Sequence, residues 1–192
     1  MKPRKYHGLS VIVMSAAILL GPLAGHASPI TYHVNRVIAA GSVTGFIETD
    51  GSMGALSASN FVDWNLLLND GTSKLDLTGP RSGNNSAVFV QGADVGAVGA
   101  LLFFNFSGID NGVLLFEQVP FSGARYYCDA SQPFVCPPGE SVAVFAGYKN
   151  VGHKGNIVIA AAPEPGTCIL VLTGLLFSGR KALVSLRGDR KS

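Results

Sequence analysis

The sequence predicts an all-β domain, an antiparallel β-sandwich of about eight to ten short strands. Three observations point there. Helical periodicity is nearly absent from residues 28–162. Short apolar runs alternate with polar residues instead, and Gly, Asn and Asp punctuate them about every 8–12 residues. Two apolar segments, residues 9–20 and 167–177, stand outside this pattern and read as an N-terminal signal helix and a C-terminal hydrophobic sorting helix. The expected division is a signal peptide at 1–27, a secreted β domain at 28–162 and a sorting or membrane segment at 163–192.

Residues 30–39 open the domain as a strand. Residues 42–49 form the next, closed by Asp50-Gly51, residue types that accept the positive φ of a tight turn. The clearest alternation follows. Val62, Trp64, Leu66 and Leu68 share one side, Asp63, Asn65 and Asn69 the other, and Asn69-Asp70-Gly71 ends the strand with hairpin chemistry. Leu75 and Leu77 repeat the alternation against Lys74 and Asp76. Residues 79–86 read as a loop and 92–99 as a glycine- and alanine-rich connection, while runs at 87–91, 100–106, 113–119, 141–148 and 156–161 complete the strands. Leu101 to Phe104 are apolar on both faces, which predicts a central strand covered on both sides.

The chain's formal charge of +2 is set by its ends. Between residues 28 and 162 only Arg36, Lys74, Arg81, Arg125, Lys149 and Lys154 oppose ten carboxylates, leaving −4. That balance argues against nucleic acid, whose binding rests on neutralising phosphates. Two cysteines fall in the domain, Cys128 and Cys136, separated by seven residues and bent by Pro133, Pro137 and Pro138. A disulfide there stabilises by about 2–3 kcal/mol in the chain-entropy model and fits an oxidising compartment. A redox pair or half a metal site are the alternatives, and the lack of further soft ligands in the neighbouring sequence argues against zinc.

Nucleophilic catalysis needs a base and an orienting acid beside a Ser or Cys. His33 and His153 are the domain's histidines, one in a strand and one in the turn-like Gly152-His153-Lys154-Gly155, and no Gly-x-Ser-x-Gly elbow accompanies them. Glu48, Asp50 and Glu117 are the acids considered for glycoside hydrolysis, without a compelling pair. Asp50-Gly51-Ser52, Asn69-Asp70-Gly71 and Asp110-Asn111-Gly112 are oxygen-rich turns of the kind calcium uses, but hairpins need the same residues without metal. No cofactor, metal or catalytic residue is therefore expected. Trp64 shares a face with Val62 and Leu66 and reads as core, whereas Tyr126 and Tyr127 alternate faces, leaving one of them available for a glycan contact.

The two ends carry the most specific signals. Lys2, Arg4 and Lys5 precede the apolar residues 9–20, and Gly25-His26-Ala27 offers small residues for signal peptidase, with cleavage between Ala27 and Ser28. At the other end Pro163-Glu164-Pro165 precedes the apolar residues 167–177 and a tail bearing Arg180, Lys181, Arg187, Arg190 and Lys191. Apolar residues partition into a bilayer while Lys and Arg stay cytoplasmic.

This order of motif, apolar run and basic tail resembles the PEP-CTERM sorting signal of Gram-negative bacteria, though Asp189 and residues 182–186 interrupt the basic run. The stretch from Thr44-Gly45-Phe46-Ile47 through Thr49-Asp50-Gly51 to Asp63-Trp64-Asn65-Leu66 is similar to a recurrent, functionally uncharacterised group of such proteins. The resemblance implies signal peptidase and an exosortase as processing partners. It also implies transient anchoring in the inner membrane and delivery to the cell envelope or an exopolysaccharide matrix. The expected function is that of a non-enzymatic surface or matrix protein. The alternatives are a carbohydrate-binding module and a secreted hydrolase.

Overall fold

The computed structural model describes residues 28–120, 124–145 and 147–163. Apart from one 3-10 turn, Ala58–Asn60, its regular elements are strands. In chain order they are β1 (Ile30–Ile38), β2 (Gly41–Thr49), β3 (Gly54–Ala55), β4 (Phe61–Asn69), β5 (Lys74–Thr78), β6 (Ser86–Gln91) and β7 (Val95–Val98). Then come β8 (Leu101–Asn105), β9 (Val113–Gln118), β10 (Tyr126–Ala130), β11 (Gly139–Ala143), β12 (Lys149–Val151) and β13 (Asn156–Ala161). All pairings are antiparallel. An eight-stranded sheet runs β3-β7-β8-β13-β1-β2-β4-β5 and a five-stranded sheet runs β12-β11-β10-β9-β6.

The two sheets bury one apolar core between them, giving the sandwich-like all-β fold. Alternation explains which residues enter it. Tyr32, Val34 and Ile38 of β1, Val43 and Ile47 of β2, and Trp64, Leu66 and Leu68 of β4 meet Leu114 and Phe116 of β9, Tyr127 of β10 and Val142 of β11. Phe116 is the hub, with ring centroids 5.9 Å from Phe61, 5.3 Å from Trp64 and 6.3 Å from Tyr127. Such pairs contribute about 0.5–1.5 kcal/mol each beyond their buried area. The polar edge of Trp64 is also satisfied: its Nε1–H donates to Ser86 Oγ at 2.8 Å, and that hydroxyl donates to the Thr78 carbonyl at 2.9 Å.

Four strands, β3, β7, β10 and β12, take the count to thirteen, above the eight to ten the sequence predicts. Residues 92–99, expected as a connection, hold β7, where the ring of Phe103 packs against Gly96 in the space a Cβ would need. The expectation that Leu101 to Phe104 are covered on both sides is also corrected: Leu102 and Phe104 are fully buried, but Leu101 is 43% exposed on the outer face. Val62 does not share the buried face of Trp64. A register shift in the β2–β4 ladder at Glu48/Thr49 turns Phe61 inward in its place.

Two turns show why backbone chemistry matters here. Asn69-Asp70-Gly71 does link β4 to β5; Gly71 has φ 90°, and Asp70 Oδ1 accepts the amides of Thr72 and Ser73 at 2.8 and 2.7 Å. The β1–β2 hairpin instead turns through Ala39-Ala40 with Ala39 at φ 51°, which no sequence signal announced. Within β2, Gly45 has φ 135°, and a Cβ there would collide with the Asn65 carbonyl of β4. Gly45→Ala is expected to destabilise the domain by at least about 2 kcal/mol, combining a forbidden φ with a ladder clash. Denaturant unfolding followed through Trp64, the single tryptophan, measures this, and an unchanged midpoint would refute the assignment.

Candidate functional site

One set of charged and polar side chains meets inside the core. Arg36 follows Tyr32 and Val34 on the inner face of β1, so alternation alone aims its side chain at the opposite sheet. Its Nε and Nη2 donate to Glu140 Oε1 and Oε2 on β11 at 2.7 and 2.8 Å, a bidentate pair spanning the sheets. Nη1 donates to the Val158 carbonyl at 3.0 Å, where β13 carries an irregularity between Val158 and Ala160. The β1–β13 ladder holds only at His33↔Ala161 and Val34↔Ala160, and Arg36 lies just past its end. A shallow groove of about 210 Å³ runs there between His33, Asn35, Arg36 and residues 158–161.

Behind the ion pair lie two further groups. Asp129 of β10 stands directly opposite Glu140 in the β10–β11 ladder, and Tyr127 lies two residues before it on the same face. The Tyr127 hydroxyl is 3.0 Å from both Asp129 Oδ2 and Glu140 Oε1. A phenol has one hydrogen, so it donates to one carboxyl and accepts from the other, which must carry a proton. Burial pushes the Asp129 carboxyl well above the ordinary range, and the nearby Glu140 charge adds to this. With the proton on Asp129, that carboxyl donates to Tyr127, which donates to Glu140, which Arg36 holds. Burial likewise raises the Tyr127 phenol, with the two carboxyls adding to it, while the Glu140 contact raises Arg36. His153, in the loop after β12, completes the set with Nε2 3.1 Å from Glu140 Oε2 and its ring 4.9 Å from Phe106.

The arrangement can hold and pass a proton. Of this set, Arg36 lines the groove, and the fully buried Glu140 and Asp129 lie behind it. Its chemistry is that of a latch between the sheets.

The outer face of the five-stranded sheet carries the second feature. Cys128 and Cys136 form the expected disulfide. A groove of about 200 Å³ beside it is lined by Ala87, Val88, Phe89, Leu115, Glu117 and Val135. Burial raises the Glu117 carboxyl, and Tyr126 stands across from Glu117 in the β9–β10 ladder. Tyr126 is half-buried and remains accessible. Tyr127 is fully buried in the core and cannot serve as the glycan contact considered from sequence, because β10 turns it toward Phe116.

The remaining sequence candidates disperse. Trp64 is core, as expected, with 3% exposure. His33 is exposed on β1, away from the buried carboxyls. Glu48 pairs with Arg81 at 2.9 Å, and Asp50 caps its turn by accepting from Ser52 and Asn60 at 2.9 and 3.0 Å. Ser28 and Pro163 lie exposed just outside β1 and β13. Ala27, Glu164, Pro165, Arg180, Lys181, Arg187, Arg190 and Lys191 lie outside the described residues, as do both apolar end segments. Among the described residues no helix is long and apolar enough to cross a membrane. Sequence reasoning missed Arg36, Asp129 and Glu140. The available signal was two acids set among small and apolar neighbours, Tyr127-Cys128-Asp129-Ala130 and Gly139-Glu140-Ser141-Val142, flanking one disulfide loop.

Comparisons of the chain with family models, curated proteins and solved structures returned no match.

The proton assignment separates two conservative substitutions. Asp129→Asn keeps a donor toward Tyr127 and is expected to match or exceed the parent's stability at pH 7. Glu140→Gln strips Arg36 of its anion and is expected to cost about 3 kcal/mol or more. Because the folded Asp129 pKa lies above the unfolded value, the folded state holds one extra proton between the two. Stability therefore falls as pH rises through that window, by about 1.4 kcal/mol per pH unit at most, starting near pH 4. Chemical denaturation across pH should show this slope in the parent and lose it in Asp129→Asn. A parallel profile in both proteins would overturn the assignment.

Proposed function

We propose that this chain is an exported, exosortase-processed protein of the cell surface or extracellular matrix, with its described domain as the delivered cargo and no catalytic role of its own. On this reading signal peptidase cuts between Ala27 and Ser28. A C-terminal sorting helix then holds the protein at the inner membrane of a Gram-negative cell until an exosortase cuts near Pro163, Glu164 and Pro165. The observation that supports the reading is where the described sheets begin and end. β1 begins two residues after Ser28 and β13 ends two residues before Pro163, so Ser28 and Pro163 stand just outside the terminal strands. The register His33↔Ala161 also makes the entry to β1 and the exit from β13 leave side by side. One membrane surface can thus hold either end without distorting the domain. The Cys128–Cys136 bridge fits the oxidising compartment this route requires.

A second reading, a carbohydrate-binding module for exopolysaccharide, is favoured by the Phe89–Glu117 groove with Tyr126 beside it. A carboxylate next to an aromatic face suits a sugar's hydroxyls and its apolar ring face. Binding of exopolysaccharide purified from the native host, lost in Phe89→Ala and Glu117→Gln, would raise it above the first.

Intact mass spectrometry of protein recovered from the envelope and medium of the native host tests the main reading. The expected species starts at Ser28, ends within residues 163–166 and retains the disulfide. A membrane-bound species still ending at Ser192 would refute sorting and leave an anchored β domain.

A further inference from the structure

A second buried carboxyl group has an oxygen without a hydrogen-bond partner among the described residues. Asp94, immediately before β7, is 5% exposed, and its Oδ2 meets no hydrogen-bond donor among the described residues. Its side chain is wedged between Gly108 and Gly112, where a Cβ at either position would collide with the carboxyl group. The connection from β8 to β9 is thus wrapped around it, carrying Ile109, Asp110 and Asn111 between the two glycines.

The amides that could have answered Asp94 are committed elsewhere. Ser107 N–H donates to Asn105 Oδ1 at 3.1 Å and Gly108 N–H to the Asn105 carbonyl at 3.2 Å. Gly112 N–H donates to Ser131 Oγ at 2.9 Å. Asp94 itself is pinned, because its carbonyl accepts the Asn105 amide at 2.8 Å. Asp129, the other buried aspartate with an unpartnered oxygen (Oδ1), at least shares its Oδ2 with the Tyr127 hydroxyl. Asp94 has no such neighbour. A buried carboxylate without donors is costly, and a cation offsets that cost where water and protein donors do not.

We propose that Asp94 and the loop from Gly108 to Gly112 form a calcium site, with Asp94 as the charged ligand and Asp110 and Asn111 as further oxygen donors. The donor chemistry selects the ion. The donors named are all oxygens with only two carboxylates among them, and no described cluster of three His, Cys, Asp or Glu is placed to hold an ion. That suits calcium rather than zinc, with a dissociation constant of about 10⁻⁴–10⁻³ M, the range of extracellular modules. The site stands apart from the proposed sorting route and does not depend on it.

Calcium chloride titrated into the EDTA-stripped full-length protein, followed by calorimetry and thermal unfolding, tests the proposal, with magnesium chloride as control. The expected result is one saturable site with Tm rising as calcium saturates it and little response to magnesium. Asp94→Asn should lose at least about tenfold in calcium affinity while unfolding no earlier than the parent in EDTA. Should that variant not fold, Asp110→Ala, at an exposed position, should weaken calcium several-fold and leave stability in EDTA unchanged. Absence of any calcium-dependent heat or Tm shift well above that range overturns the site. So does a parent-like calcium response in both variants.

Discussion

The architecture depends on one ion pair, Arg36 with Glu140, set where the two sheets face each other. Two charges taken from water are tolerated there because the pairing is bidentate and every neighbour contributes. Val158 accepts the remaining guanidinium arm, and Tyr127 and His153 occupy the carboxylate's other positions. The pair also fixes alignment. Shifting β1 by one residue would present Asn35 or Val37 to β11 and leave Glu140 buried without its cation. Apolar residues alone would tolerate such slippage more readily, so the polar cluster selects one packing among several that hydrophobic burial permits.

Much of the fold was legible because its strands alternate in the simplest way. Trp64, Leu66 and Leu68 are inward as their spacing required, and the turn at Asp70-Gly71 is where its residue types demanded. The failures have separate physical causes. Phe61 replaces Val62 in the core because of an irregular pairing, which depends on the partner strand and leaves no mark on the local pattern. β7 escaped because its small residues serve as a bed for the Phe103 ring, a tertiary role that looks like loop composition. The polar cluster was the least readable. Its members come from β1, β10, β11 and the loop before β13, and only the strand order brings positions 36, 129, 140 and 153 together.

The disulfide has a wider reach than its small loop suggests. Ser131 lies within the segment it closes, and Ser131 binds both the amide and the carbonyl of Gly112. The bridge therefore braces the end of the loop that encloses Asp94. Oxidation of the cysteine pair and an orderly β8–β9 connection become linked through a single serine.

The short seam between β1 and β13 bears on how the domain carries mechanical load. Tension applied at Pro163 would enter β13 first. Along β1 that strand is held by two residue pairs, whereas along β8 it is held by five. Once the Arg36–Val158 contact gave way, force would part the β1 seam, and resistance would pass to the β8 ladder. That strand is therefore zipped on one side and lightly stitched on the other, so a pull at its C-terminal end would open the sheet at a predetermined line.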